Sequence, residues 1–529
     1  MRKRSRACEE CHRLKIKCDV GTSSSGICDR CTRNSLECTP AAPRLQRDRI
    51  KELESQVQEL RNVLREQSNS TTPSRSPGSL PLLENSHENA ILSLLDARIP
   101  LSRQQPLLDF YLHHAGAAWP LIRVPSDLDR IRLKSPILLL SILVYTVTHA
   151  TQGTELEVHD ELVRETMHML GEEVVGRGQR SLELVQALLV AALWVKTTRK
   201  GYQGSCYQIV QLAVDMAIDI GIAGFALQPS PVAYFDRHED ETSAEARRTW
   251  LACFVAASTS SMSMRRPSAV SWDGHHQECM LYLECVGDPL DMLMCQIVRI
   301  TQIIQEISKR LSLCELTSFV DANDYSIHTV MEELKSKVDA WAAQIPTQLA
   351  SSSTLNVLRH IAMIYIYEPV LHTPTNKPSF AAPFIPGRIP IKDFPKPLVA
   401  IPPLQSALEA IVFHCHSVID TIAEMDPEIA ISLPTFCFTP TVVYALFVLV
   451  TVLVAGTDPA NTYGRFLPTE IFHIEECGLK LRELTAKLKD IDPTMSCYTV
   501  RMFDATSWLE EWYNNYTAIL RRYESNLAN

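Results

Sequence analysis

Residues 8–38 read CEECHRLKIKCDVGTSSSGICDRCTRNSLEC, with cysteines at positions 8, 11, 18, 28, 31 and 38. The gaps run two, six, nine, two and six residues, so the second half of the stretch repeats the first. Zinc takes four tetrahedral ligands and binds thiolates well. Six cysteines cannot supply two separate four-sulfur sites, but they can hold two zinc ions if two thiolates are shared. Six thiolates and two Zn2+ leave a net charge of −2, which neighbouring Lys and Arg offset while helping to keep the thiols deprotonated. A module this short has almost no apolar core, so metal must supply most of its folding free energy.

The rest of the chain is different in kind. Of 529 residues, 46% are hydrophobic, 21% charged and 7% aromatic, an ordinary soluble composition that excludes collagen, a wholly disordered chain and a small disulfide scaffold. The net charge of −10 argues at first against nucleic acid. The charge is segregated, however. Residues 1–51 carry 13 basic and 6 acidic side chains, net +7, and the remainder is net −17. No signal peptide is readable in MRKRSRACEECHRLKIKC, and clustered cysteines in a reducing compartment point to metal rather than disulfides. Arg2, Lys3, Arg4 and Arg6 fit a nuclear-import signal and phosphate contacts equally well.

RACEECHRLKIKCD (6–19) and CDRCTRNSLEC (28–38) resemble the fungal six-cysteine binuclear zinc cluster transcription factors. The resemblance implies that Cys8, Cys11, Cys18, Cys28, Cys31 and Cys38 bind two zinc ions, with Cys8 and Cys28 bridging. It also implies that each half forms a short helix and turn. The first helix then points into the major groove of double-stranded DNA, with Lys15 as base reader and Arg13 and Lys17 as phosphate contacts. His12 stands where the family usually has Arg, which weakens one phosphate contact. Gly21 and Gly26 replace a proline usual in the loop before the fourth cysteine. Arg4 and Arg6 complete the DNA-facing set. A zinc module used only for protein contacts is the competing reading, and the basic residues between the cysteines weigh against it.

After a Pro-containing linker (39–48), Ile50, Leu53, Val57, Leu60 and Leu64 are spaced 3, 4, 3, 4, an a/d seam of two heptads. A parallel homodimer through a short coiled coil is expected, since an isolated helix this short is marginal. Residues 67–89 are rich in Ser, Pro, Asn and Thr and read as a disordered hinge.

From Ala90 to about Ser525 apolar residues recur at helical spacing, as in residues 183–196, 207–224, 289–311 and 476–491, while strand alternation is scarce. Residues 107–128 and 246–272, with the Arg265-Arg266-Pro267-Ser268 turn, resemble the regulatory (middle homology) domain of the same family. The expected fold is therefore mostly α. A zinc cluster module (1–40) is followed by a linker and coiled coil (41–66), a hinge (67–89) and a large all-helical regulatory domain (90–525). Residues 373–403 hold nine of the 31 prolines and read as a long loop, ordered or mobile, that no helix can cross. The apolar run Val442–Ala455 has 14 residues against the ~20 needed to span a bilayer, so a buried core helix is expected and no membrane partner.

Other candidates are weak. His414, Cys415 and His416 are adjacent on a helix and fan apart. His275 and His276 read as a loop beside Asp273 and Cys279. The acidic–aromatic C-terminus (Trp508, Leu509, Trp512, Tyr516, Leu520) fits a packed amphipathic helix better than a coactivator-binding surface. No P-loop, GxGxxG, GxSxG or HExxH pattern occurs, so no enzyme is expected. The expected function is nuclear, zinc-dependent, sequence-specific regulation of RNA polymerase II transcription of a metabolic or secondary-metabolite gene cluster. Expected partners are the transcription machinery or coactivators and a small-molecule effector. The alternative is a metabolite-binding or enzymatic helical domain fused to a DNA-binding module.

Overall fold

The computed structural model describes residues 7–19, 27–39, 84–147, 156–194, 206–225, 237–395, 402–435, 438–457 and 467–528. The heptad residues Ile50, Leu53, Val57, Leu60 and Leu64, and Arg4 and Arg6, lie outside the described residues. The chain divides into two units, Met1–Pro81 and Leu82–Asn529.

The small unit carries two five-residue helices, α1 (Glu9–Arg13) and α2 (Asp29–Arg33). Both begin directly after a cysteine of the repeat. Acidic residues occupy their first turns (Glu9, Glu10 and Asp29), where the helix dipole favours them. Such short helices cannot stand on propensity, and their buried residues are cysteines.

The large unit contains fifteen helices of ten residues or more among the described residues. These are α3 (Glu84–Arg98), α4 (Leu101–Phe110), α5 (Pro136–Thr146), α6 (Leu156–Gly171), α7 (Leu182–Leu193), α8 (Cys206–Asp219), α9 (Ala244–Met264), α10 (Gly274–Val286), α11 (Pro289–Arg310), α12 (Tyr325–Ala343), α13 (Ser353–Tyr367), α14 (Pro402–Glu424), α15 (Thr439–Thr457), α16 (Ile474–Ile491) and α17 (Trp508–Ala528). Local chemistry sets their ends. Ser243 Oγ accepts from Ala246 N–H at 3.2 Å, and Asp288 caps α11 ahead of Pro289, which needs no N–H partner. Gly287, at φ +73°, closes α10 in a left-handed turn.

The helices pack in chain order. α7 lies on α5 and α8, α8 on α9, α9 on α10 and α11, α11 on α13, α13 on α14, and α14 on α15 and α16. They share one continuous apolar core. α15, apolar on every side, is buried at its centre, as expected of the run at Val442–Ala455; by length and composition alone it would also cross a membrane. Tyr145 Oη and Trp194 Nε1 both donate to the Ser432 carbonyl, at 2.9 and 3.0 Å, tying α5 and α7 to a segment more than 200 residues away.

Three local expectations are corrected. His275 and His276 are not in a loop but in the first turn of α10. Asp273 caps that helix by accepting from His276 N–H, and the His276 ring returns to Asp273, a reciprocal box that starts the helix. α3 begins at Glu84, within the stretch read as hinge. α14 begins at Pro402, because prolines are tolerated in a first turn where N–H groups have no helical partner.

Residues 373–395 are anchored. The Asn376 amide donates to the carbonyls of Leu371 and Asp393, and the Asp393 carboxylate accepts the Thr373 and Thr375 hydroxyls. Arg388 donates to the carbonyls of Pro378, Ala381 and Pro383, while Phe380 and Phe384 pack on Phe447. With so many prolines the backbone has few N–H donors, and side chains take over the bonding.

At the C-terminus, Leu509 is buried, and Trp508, Trp512 and Tyr516 pack against the core. This agrees with the packed-helix expectation.

Candidate metal centre and nucleic-acid interface

The sequence repeat becomes a structural one. In the first half Lys15 takes a left-handed backbone (φ +51°), and in the second half Ser35 does the same (φ +51°). Ile16 N–H then donates to the Cys11 carbonyl at 3.1 Å, and Leu36 N–H to the Cys31 carbonyl at 2.9 Å. Each turn sends the chain back extended, so that Cys18 Sγ accepts from Cys8 N–H (3.3 Å) and Cys38 Sγ from Cys28 N–H (3.4 Å). The halves are cross-linked by Glu9 N–H to the Thr39 carbonyl (2.9 Å) and Asp29 N–H to the Asp19 carbonyl (3.0 Å).

This arrangement brings the thiols together. The Sγ atoms of Cys8, Cys11, Cys18 and Cys28 lie within 4.8 Å of one another, and so do those of Cys8, Cys28, Cys31 and Cys38. Cys8 and Cys28 belong to both sets. A tetrahedron with Zn–S bonds of ~2.3 Å has S···S edges of ~3.8 Å. Observed separations are 3.8 Å for Cys8–Cys28, 3.7 Å for Cys8–Cys31 and 3.8 Å for Cys11–Cys28. Donor type, number and spacing therefore fit two zinc ions.

Electrostatics within the cluster are uneven. The Cys31 backbone N–H, the largest influence, helps draw the Cys28 thiol down to about 6. Burial opposes ionisation of Cys8, but hydrogen bonds from Cys11 and Cys31 outweigh it and its thiol is lowered. Cys11 and Cys31 are raised, first by burial and then by the neighbouring thiols. Arg30 Nη1, 4.0 Å from Cys11 Sγ, places a cation beside the cluster, a contact that no spacing rule had signalled.

His12 and Arg13 fall in the last two positions of α1. Lys15 and Lys17 follow in the exposed turn and extended segment. Lys17 pairs with Asp19 at 2.9 Å, but both side chains are largely exposed, so the pair contributes little. The corresponding second-half residues are Thr32, Arg33, Ser35 and Glu37, so the paired lysines of the first half have no basic equivalents.

Seven of the ten other cysteines are buried in the large unit, Cys314 is half-buried and Cys285 exposed. His414 and His416 diverge from one helix as expected. The sequence did not reveal that His414 Nδ1 meets His360 Nδ1 at 2.8 Å across the α13–α14 interface, or that His416 bonds the Phe472 carbonyl at 2.9 Å.

Comparison with known proteins agrees with this geometry. The fungal Zn(2)-Cys(6) binuclear cluster domain matches residues 6–48, and the WAR1 C-terminal domain matches residues 50–382. Among curated relatives, transcription factor pbcR of Emericella nidulans is 27% identical over 397 residues, covering 64% of this chain and 52% of its own length. Transcription factor himD of Aspergillus japonicus is 23% identical over 408 residues (72% and 65%). Transcription factor opdL of Penicillium oxalicum is 22% identical over 405 residues (71% and 69%). The alignments thus span from about half to about two thirds of these relatives. No solved structure matches the chain. The chain belongs to the family defined by the WAR1 C-terminal domain, joined here to a fungal Zn(2)-Cys(6) binuclear cluster domain that binds two zinc ions.

Proposed function

We propose that this protein is a zinc-dependent, sequence-specific DNA-binding regulator of RNA polymerase II transcription. The observation that carries this reading is the pair of four-thiol sets sharing Cys8 and Cys28, with Lys15 presented on the left-handed turn directly after α1. The six thiols would hold zinc, which would supply the cross-link that fixes the two halves of the module together. Lys15 then bonds guanine O6 and N7 in the major groove, and His12, Arg13 and Lys17, with Arg4 and Arg6, engage phosphates. Three curated relatives named as transcription factors support this reading.

The finer proposals follow the same logic. Cys8, Cys11, Cys18, Cys28, Cys31 and Cys38 would hold two zinc ions, with Cys8 and Cys28 shared between the two four-thiol sets. Ile50, Leu53, Val57, Leu60 and Leu64 pair two copies, so that two half-sites are read together. The protein acts in the nucleus on a metabolic or secondary-metabolite gene cluster, through coactivators and under a small-molecule effector, and no catalytic role is assigned. The test is selection of bound sequences from random duplex DNA by the zinc-loaded full-length chain. Enrichment of paired short half-sites is expected, and recovery of no common sequence would overturn the reading.

A further inference from the structure

A cleft of about 370 Å³ opens between the C-terminal halves of α9 and α11, closed by residues 267–272 on one side and 312–315 on the other. Met262, Pro267, Trp272 and Cys314 contribute apolar surface, the larger share of its lining, and serine hydroxyls and the Gln302 and Gln305 amides stand among them. Its size falls within the range of small-molecule sites.

Both walls are fixed by polar groups that apolar packing does not require. Gln305 clamps the first, its amide donating to the Val270 carbonyl (2.7 Å) and Ser258 Oγ (3.3 Å) and accepting from Trp272 N–H (3.1 Å). The Trp272 ring is held by an edge-to-face contact with Phe254 and a stack on His276. Lys377 clamps the second. Its buried ammonium donates to the carbonyls of Ser312 (2.7 Å), Glu315 (2.9 Å) and Ser318 (2.5 Å). Burying an ammonium is expensive unless it is fully hydrogen-bonded, and here its three donors serve to hold a loop in place. A concave site with pre-set walls is the arrangement that lowers the ordering cost of binding.

The lining also carries unused hydrogen-bonding capacity. The side chains of Ser271 and Gln302 make no intramolecular hydrogen bond among the described residues, whereas Glu306 is engaged by Lys337. The lining charges, Glu306, Glu315 and Lys309, sum to −1 and disfavour an anion. We propose that this cleft binds a small, neutral, hydroxylated aromatic molecule of one or two rings, its ring against Trp272 and Met262 and its hydroxyls bonded to Gln302 and Ser271. The regulatory consequence rests on the function proposed above, but the binding does not.

The test is isothermal titration of the zinc-loaded full-length protein with a panel of dihydroxybenzenes and dihydroxynaphthalenes, with 1-naphthoate as the anionic comparison. Saturable binding of at least one neutral diol is expected, weakened about tenfold by Gln302→Ala, which removes hydrogen-bonding groups that the fold does not use. Ser271→Trp, at an exposed position, should abolish it by filling the cleft, and an unchanged melting curve for both variants verifies their folding. Absence of binding across the panel would overturn the site, as would diol binding that both variants leave intact. Equal or tighter binding of 1-naphthoate would overturn the ligand class. DNA selection on the same preparations separates either failure from failure of the DNA-binding reading.

Discussion

The Arg265 guanidinium donates to the Glu368 carboxylate inside the core of the large unit, across 103 residues of sequence, with side chains 2% and 0% exposed. Arg265 sits at φ +51° directly after α9, so the helix ends where its guanidinium must turn inward. It also donates to the Phe380 carbonyl at 3.0 Å and lies over the Tyr365 ring, while Tyr444 adds its hydroxyl to Glu368. Burial alone would push the Glu368 carboxyl up, but Arg265, with His372 and Tyr444, holds it below the usual range. Arg265→Met should therefore leave a buried carboxylate without its cation and cost about 3–5 kcal/mol. The double variant Arg265→Met, Glu368→Leu should recover much of that loss. Urea denaturation of the large-unit transition in the full-length protein measures both, and equal destabilisation by single and double variants would contradict the pairing argument.

Metal stoichiometry distinguishes shared from unshared thiols. The full-length protein should release two zinc ions per chain on denaturation in a chromogenic chelator assay. Cys8→Ser or Cys28→Ser removes a sulfur common to both four-thiol sets and should abolish both sites and the folding of the module. Cys38→Ser touches one set and should retain a larger fraction of the metal. A wild-type count of one would rule out sharing.

The two lysines after α1 should behave differently on DNA. Lys15→Ala should relax sequence preference, by about 1–3 kcal/mol at one base pair, with a smaller effect on total affinity. Lys17→Ala should weaken specific and random duplexes alike and reduce the salt slope by about one. Fluorescence anisotropy over a salt series reads both parameters. Preserved preference in Lys15→Ala would reassign the base contact.

Acid stability should report the buried histidines. Burial pushes His159 and His360 down to about 4, and burial together with His360 pushes His414 down to about 3. The unfolded chain binds these protons near pH 6.5, whereas the folded chain resists until well below. The stability contribution is thus fully present above pH 6.5 and lost as pH falls from there towards 4 and then 3. The maximum slope is about 1.4 kcal/mol per pH unit for each histidine. The double variant His360→Gln, His414→Gln should flatten the dependence between pH 6 and pH 4 in denaturant titrations. An unaltered slope would show that the pair does not remain neutral in the fold.

The zinc module was legible in the chain because its ligands lie within 31 consecutive residues and metal chemistry fixes both their type and their number. A local spacing rule is sufficient where the interaction itself is local. The helices at 289–310 and 474–491 were legible for the same reason, since a 3.6-residue apolar period needs only the helix that carries it. The His275–His276 turn misled because a cap box depends on backbone geometry as well as composition. What only the tertiary structure decided is how distant polar groups are satisfied: Arg265 with Glu368, Tyr444 with Glu368, His360 with His414, and Lys377 with three carbonyls about 60 residues away. No periodicity announces such pairs. Each charge or polar group is tolerated in the core only because a partner far along the chain meets it there, and that meeting is a property of the packed helices rather than of any segment.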